Sequence, residues 1–98
     1  MKKSLVDEKD ISEFLKVFSC EWRVKIIEVV SEREVCQCEL AKMFSIDFTT
    51  LSRHLKMLKD ARILRERKVG RSKYYSLRSK EALEIIRLSK QIIGESRE

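Results

Sequence analysis

The stretch Asp47 to Leu77 decides the fold. It reads D-F-T-T-L-S-R-H-L-K-M-L-K-D over residues 47–60 and A-R-I-L-R-E-R-K-V-G-R-S-K-Y-Y-S-L over residues 61–77. In the first half Leu51, Leu55 and Leu58 recur at helical spacing and form one apolar stripe, so the pattern predicts a helix over about 48–60. Asp47 is placed to cap that helix, because its carboxylate can accept from the free backbone N–H of Thr49 or Thr50. The opposite face carries Thr49, Thr50, Ser52, Arg53, Lys56 and Lys59. These are the hydrogen-bonding and cationic side chains that a recognition helix presents to a major groove. In the second half, alternation replaces the helical period, with β-branched and aromatic residues on both sides of Gly70. Glycine supplies the positive φ of a tight turn, and a β-hairpin is expected over about 63–77.

Charge says what the unit is for. From Arg53 to Arg78 there are ten Lys or Arg against two acids, a net of +8 in a chain whose total is +6; the other 72 residues therefore sum to −2. A basic surplus confined to one helix and one hairpin is the footprint of a polyanion site with strongly salt-dependent binding. A solvated charged face is the plainer reading of the charge alone, and the helix chemistry argues against it.

Moving outward, Leu40, Ala41 and Phe44 belong to a preceding helix expected over about 37–44. They should pack on Leu51 and Leu55, with Ser45-Ile46-Asp47 making the turn. Val35 is expected to form a short strand contact with the hairpin. A helix over about 21–31 should point Val24, Ile27 and Val30 inward. A first helix is expected over about 10–19, with Asp10 and Glu13 as a capping pair and an apolar stripe of Ile11, Phe14, Leu15 and Phe18. A last helix is expected over about 79–94, with Ser79 as its N-cap candidate and a wide apolar face of Leu83, Ile85, Ile86, Ile92 and Ile93. Both terminal helices carry more apolar surface than a monomer of this size needs, which predicts a two-fold interface built from them.

At 98 residues the chain reads as one small domain, residues 1–98, at a size where an oligomer interface often supplies part of the core. It shows no apolar run long enough to span a membrane and no signal-peptide pattern at Met1-Lys2-Lys3, so a cytoplasmic protein with no membrane partner is expected. Its three cysteines then read as thiols kept for ligation or redox chemistry rather than as structural bridges. One His, two Gly and no paired-carboxylate arrangement leave no plausible catalytic set, and the chain is not expected to be an enzyme.

Three separated motifs together resemble the ArsR/SmtB family of winged helix-turn-helix repressors: Glu34 to Ala41 (E-V-C-Q-C-E-L-A), Thr50 to Ala61 (T-L-S-R-H-L-K-M-L-K-D-A), and the hairpin end G-R-S-K-Y-Y-S-L over 70–77. They arrive in the family's order and spacing, and the match runs from about Phe14 to the last helix. The resemblance implies a mainly α fold of about five helices plus a two-stranded wing. It also implies a cytoplasmic homodimer, joined through the first and last helices, that represses transcription on an operator in double-stranded DNA. Such proteins usually leave the operator when a metal, metalloid or oxidant is sensed. On this reading Phe48, Thr49, Ser52 and Arg53 contact bases, and Thr50 and Lys56 contact phosphates. Arg65, Arg67, Lys68, Arg71 and Lys73 of the wing reach backbone and minor groove, Arg71 at its tip. His54, where the family often has His, reads as structural or phosphate-contacting rather than metal-binding. A winged-helix module for protein or RNA contacts is the alternative of another class; it predicts weak, sequence-indifferent DNA binding.

The chain departs from the family pattern in several places. Cys20-Glu21-Trp22-Arg23 stands where an Asp-Pro-Thr-Arg-like turn is usual, and only Arg23 agrees. Trp22 there reads as a core or dimer contact. Phe48 occupies a commonly polar position and suits either a thymine methyl or partial burial. Arg62 stands where the family usually has Gly; if its backbone is left-handed the cost is on the order of 1 kcal/mol, and a long cation there can recover it by reaching a phosphate.

Cys36-Gln37-Cys38 is the motif with chemistry beyond DNA. A helix N-terminus favours the thiolate, and two thiolates two residues apart can grip one soft ion such as trivalent arsenic or antimony, cadmium or lead. Arsenic sensors of the family typically add a third cysteine where this chain has Ala41. Cadmium and lead sensors draw thiols from an N-terminal extension, and residues 1–19 contain none. Cys20 is left as a candidate third ligand. The zinc-type site on the last helix is discarded, because residues 79–98 hold neither His nor Asp. Three readings of the cysteines stay open: a soft metal or metalloid site on Cys36, Cys38 and Cys20, a thiol redox switch in which the pair closes an easily reduced small ring, and plain small buried side chains with no effector. A bound ion would be an effector; the fold needs none.

Overall fold

A computed structural model describes residues 5–96; the Met1-Lys2-Lys3 start lies outside them. The element order is α1 (Glu8–Leu15), a short 3-10 turn (Lys16–Phe18), α2 (Glu21–Val30), β1 (Val35–Cys36), α3 (Gln37–Phe44), α4 (Phe48–Asp60), β2 (Leu64–Val69), β3 (Ser72–Leu77) and α5 (Lys80–Ser96). The helix-turn-helix is α3 and α4, and the hairpin of β2 and β3 is the wing. The expected two-stranded wing is the larger part of a three-stranded antiparallel sheet in the order β1-β3-β2. Val35 pairs with Tyr75 and Cys36 with Tyr74, so the strand contact expected of Val35 ties α3 directly to the wing.

The core lies where α2, α3, α4 and the sheet meet. Ile26, Ile27, Leu40, Val35, Leu51, Leu55 and Leu58 are fully buried, and Ile63 and Leu64 almost so. The predicted α4 stripe is thus the centre of the core, and burying each of its leucines is worth about 1.5–3 kcal/mol. Trp22 meets Phe44 edge-on, with ring centroids 5.6 Å apart, and so joins α2 to α3.

Both helices of the helix-turn-helix end in left-handed backbone without glycine, Ser45 at φ 51° and Arg62 at φ 63°. Around Arg62 the chain forms a Schellman cap. Arg62 N donates to Lys59 O and Ile63 N to Leu58 O, each at 3.0 Å, while buried Ile63 follows buried Leu58 into the core. The cap turns the chain from α4 into the wing without an intervening loop.

The first helix differs from expectation. It begins at Glu8 and is capped by Asp7, whose side chain accepts from Asp10 N at 3.0 Å while Asp10 reaches back to Asp7 N at 3.2 Å. Asp10 is therefore the inner member of a capping box and not the cap, and the α-helix closes at Leu15 because the chain tightens into the 3-10 turn. None of its residues is buried. At the other end α5 starts after Ser79, whose hydroxyl donates to Glu81, and continues through Gly94 to Ser96. Ala82 and Ile86 face the core, whereas Leu88, Ile92 and Ile93 are exposed. Among the described residues no helix is long and apolar enough to cross a membrane.

Candidate nucleic-acid interface

The N-terminal half of α4 is fixed at its base and open at its surface. Asp47 Oδ2 accepts from Thr50 N at 3.1 Å and from the Thr50 hydroxyl at 3.3 Å, as the cap was expected to do. Thr50 is thereby committed to the cap through its own side chain. Thr49 and Arg53 are exposed, and Phe48 is 54% exposed rather than buried. The Arg53 side chain makes no hydrogen bond or ion pair with another described residue. Lys56 pairs with Asp60 at 2.8 Å one helical turn on, an exposed pair of the kind worth little and easily exchanged for a phosphate.

Ser52 and His54 are each held by one specific donor. Gln37 Nε2 donates to Ser52 Oγ at 2.7 Å, and Gln37 is the one buried polar residue among those described, at 4% exposure. His54 Nδ1 lies 3.3 Å from Arg23 Nη1, while Arg23 Nε donates to Val17 O at 2.8 Å. A guanidinium can only donate, so Nδ1 accepts and the ring proton sits on Nε2. Burial, and then the Arg23 charge, hold the His54 pKa below its usual value, so the ring is neutral at pH 7. His54 is thus a structural link from α4 to Arg23 of α2 and through it to the 3-10 turn, with an Nε2–H left over.

The wing sorts its cations in the same way. Gly70 carries φ 61° in the two-residue turn between Val69 and Ser72, with Arg71 beside it at the tip. Arg67 is engaged by Glu34 through both Nε at 2.9 Å and Nη2 at 2.7 Å, and it lies over the Tyr74 ring at 5.1 Å. Glu66 accepts from the Tyr75 hydroxyl at 3.0 Å and from Lys59 at 3.4 Å. Burial would raise the Glu66 carboxyl, but these two hydrogen bonds bring it below the usual range. Burial, with Glu66 opposite, pushes the Tyr75 phenol well up, so it stays a neutral donor. Arg65, Lys68 and Arg71 make no ion pair with a described residue; Lys73 is exposed across from Lys68.

The cysteine pair opens into the same region. Cys36 and Cys38 are joined through their sulfurs across the β1–α3 junction, with Cα atoms 5.3 Å apart. They line a cleft of about 170 Å³ together with Gln37, Phe48 at the start of α4, and Arg71, Ser72 and Lys73 at the wing tip. Cys20 does not join them. It is the extended N-cap residue of α2, a free and half-buried thiol. Among the described residues no three His, Cys, Asp or Glu come together as a metal site, so the expected three-cysteine set is not assembled within one chain. Once reduced, the pair would have the donor chemistry and proximity for a two-thiolate grip on one soft ion.

Gln37 is the residue that pattern reading passed over. The available signal was a polar side chain flanked by the two cysteines, one turn before buried Leu40.

A sequence model of the family described as bacterial regulatory protein, arsR family, matches residues 20–66. The chain is 36% identical over 88 residues to the arsenical resistance operon repressor of Staphylococcus xylosus, covering 90% of this chain and 84% of that protein. It is 35% identical over 88 residues to a cadmium resistance transcriptional regulatory protein CadC homolog of Staphylococcus aureus, covering 87% and 73%. It spans 64% of the length of a Synechocystis transcriptional repressor SmtB homolog that it also resembles. In fold it matches the homodimeric winged helix-turn-helix DNA-binding domain of an ArsR-family regulator from Mycobacterium bovis, with TM-score 0.77 and 20% identity over 99% of this chain and 94% of that one.

Proposed function

The chain belongs to the arsR family of bacterial regulatory proteins, DNA-binding transcriptional regulators and not enzymes, and from that premise we propose that it is a homodimeric repressor whose operator binding is controlled at Cys36 and Cys38. One observation carries the control: the cysteine pair shares a cleft with Phe48 and Arg71, from the two elements that meet DNA. A group bound to the sulfurs therefore lies between recognition helix and wing.

In the proposed complex α4 enters the major groove. Phe48, Thr49, Ser52 and Arg53 face bases; His54 Nε2–H and Lys56 face phosphates, while Thr50, whose donors are held by Asp47, keeps to the helix cap; Arg65, Lys68, Arg71 and Lys73 follow the backbone into the adjacent minor groove. Arg67, engaged by Glu34, acts there mainly by bracing the wing. The dimer interface is the exposed apolar surface of α1 and α5, where Ile11, Phe14, Leu15, Leu88 and Ile93 are each more than a third exposed and α1 buries nothing of its own. Two copies would set two recognition helices on a pseudo-palindromic site.

The effector we favour is a soft metal or metalloid, supported by the sulfur donors that Cys36 and Cys38 offer once reduced and by the arsenical and cadmium resistance regulators that the chain resembles. Such an ion supplies strong affinity for sulfur at a site this small. The bonded sulfurs favour a thiol redox switch as the second reading. The test is fluorescence anisotropy of the fully reduced protein, without oxygen, on its own upstream DNA and on random DNA, with and without arsenite. Tight specific binding that arsenite reverses, and that Cys36→Ser with Cys38→Ser makes unresponsive, is the expected result. Weak binding that is indifferent to sequence would overturn the repressor reading in favour of a protein- or RNA-interaction module.

A further inference from the structure

Gln37 sits between the two cysteines in sequence and under the recognition helix in space. Its side chain is buried, and its amide donates to the Ser52 hydroxyl at 2.7 Å. A hydroxyl has one proton and two lone pairs, and this bond occupies a lone pair. The Ser52 proton has no acceptor among the described residues, and Ser52 is half-exposed on the face of α4 that also carries Thr49 and Arg53. The hydroxyl is therefore set as a donor pointing out of the protein. In a major groove the partners for such a donor are the acceptors guanine N7 and O6, adenine N7 and thymine O4.

The backbone of Gln37 is equally committed. Cys36 is the extended N-cap residue and Cys38 lies in the first turn of α3, so any bond between their sulfurs spans Gln37. A peroxide that takes two protons and two electrons from the thiols joins the sulfurs and leaves as two waters; a dithiol reverses the step. Each event changes the constraint on the one residue that holds Ser52.

We propose that Gln37 is the positioning residue joining the cysteine pair to base recognition: its amide fixes Ser52 as a hydrogen-bond donor to a base-edge acceptor, and the bonding state of Cys36 and Cys38 alters that fix. The proposal rests on the reading of Ser52 as a base contact and of the pair as the control point.

The test is a base-pair scan of the operator by anisotropy, with wild type, Gln37→Met, Ser52→Ala and the double variant, each with dithiol and again after peroxide. Methionine keeps the length and volume of glutamine and removes the donor. In the reduced state Gln37→Met and Ser52→Ala should each flatten the preference at one and the same base pair, on the order of fivefold, the worth of one hydrogen bond. The double variant should lose no more than Ser52→Ala alone. Binding to random DNA should be unchanged, which also shows that the variants are folded. Peroxide should change wild-type operator affinity, and that change should shrink towards none in Gln37→Met.

If Ser52→Ala lowers the preference and Gln37→Met does not, or if the two effects add, the proposal is wrong while Ser52 remains a base contact. If Gln37→Met weakens every position equally, its role is general packing and the proposal is likewise overturned. If Ser52→Ala changes nothing, the base reading itself fails and takes the proposal with it. A peroxide response that Gln37→Met retains in full, or that wild type lacks, overturns the link to the cysteines.

Discussion

Arg62→Gly should make the protein more stable and a weaker DNA binder. Arg62 holds φ 63° at the end of α4, where its own N–H and that of Ile63 close the cap on Lys59 and Leu58. The Cβ of any residue but glycine makes left-handed backbone unfavourable by ~1–2 kcal/mol, while the extra freedom of glycine in the unfolded chain returns about 0.4–1 kcal/mol, leaving a net gain of about 0.5–1 kcal/mol. For a domain of this size that is a rise in Tm of about 2–8 °C at fixed protein concentration. The side chain is exposed and makes no ion pair with a described residue, so removing it takes away no packing. It does remove a cation next to α4 and the wing. If Arg62 meets a phosphate, the slope of log K against log salt should fall by about 0.9 per protomer, with operator and random DNA weakened alike. Thermal unfolding and anisotropy over a salt series read the two effects separately. A Tm equal to or below wild type would refute the strain argument, and an unchanged salt slope would refute the phosphate contact.

Arg53→Ala should reduce discrimination between operator and random DNA by about 1–3 kcal/mol; if both affinities fall equally, Arg53 meets phosphate and not a base. Stability should decline as pH falls below about 6.5, the usual value for the ring, because His54 takes up its proton less readily folded than unfolded. His54→Gln should flatten denaturant midpoints between about pH 7.5 and pH 5.5, one unit either side of that value, and a decline that persists in the variant would assign it elsewhere. Glu66 has the opposite charge and a later window. Its lowered carboxyl contributes stability above the usual 4.5 that is lost as pH falls through the folded value. Tyr75→Phe should cost about 1 kcal/mol at neutral pH and reduce that acid loss, measured by the same midpoints; an unchanged acid limb would sink the assignment.

The sequence revealed those parts of the fold that local chemistry fixes. The α4 boundaries follow from the Asp47 cap and the leucine stripe, and the strand role of Val35 follows from a β-prone residue placed against a β-hairpin. The first helix was ambiguous for a physical reason. Asp7 with Asp10, and Asp10 with Glu13, both satisfy the capping spacing, and only the backbone entering the helix selects between them. The contacts that pattern reading could not supply are those made across elements. Gln37 meets Ser52 only because α3 crosses α4 at that point, and Glu34 finds Arg67, 33 residues away, only once β1 lies beside β3. Cys20 is not brought into one cluster with Cys36 and Cys38 within a single chain, for the same kind of reason: sulfur chemistry can be read from composition, but proximity cannot.

The ion pairs also change what the +8 of residues 53–78 means. Lys56, Lys59 and Arg67 are held by Asp60, Glu66 and Glu34, whereas Arg53, Arg62, Arg65, Lys68 and Arg71 have no ion pair with a described residue. The paired cations sit at joints: along α4, between α4 and the wing, and between the wing and β1. Glu66 and Glu34 tie the wing to α4 and to the start of β1, while Lys56, whose exposed pair lies within α4, and the unpaired cations remain available to a polyanion. The wing is thereby tied to its neighbours at two points, with Tyr75 buried in its second strand and Arg71 at its tip. If control acts through a group bound at Cys36 and Cys38, as proposed, a wing tied by Arg67 to Glu34 passes on the clash where a loose wing would swing away. Arg67→Ala should therefore weaken the effector response more than it weakens operator binding in the reduced, effector-free protein. Equal losses in both would mean that Arg67 meets DNA itself.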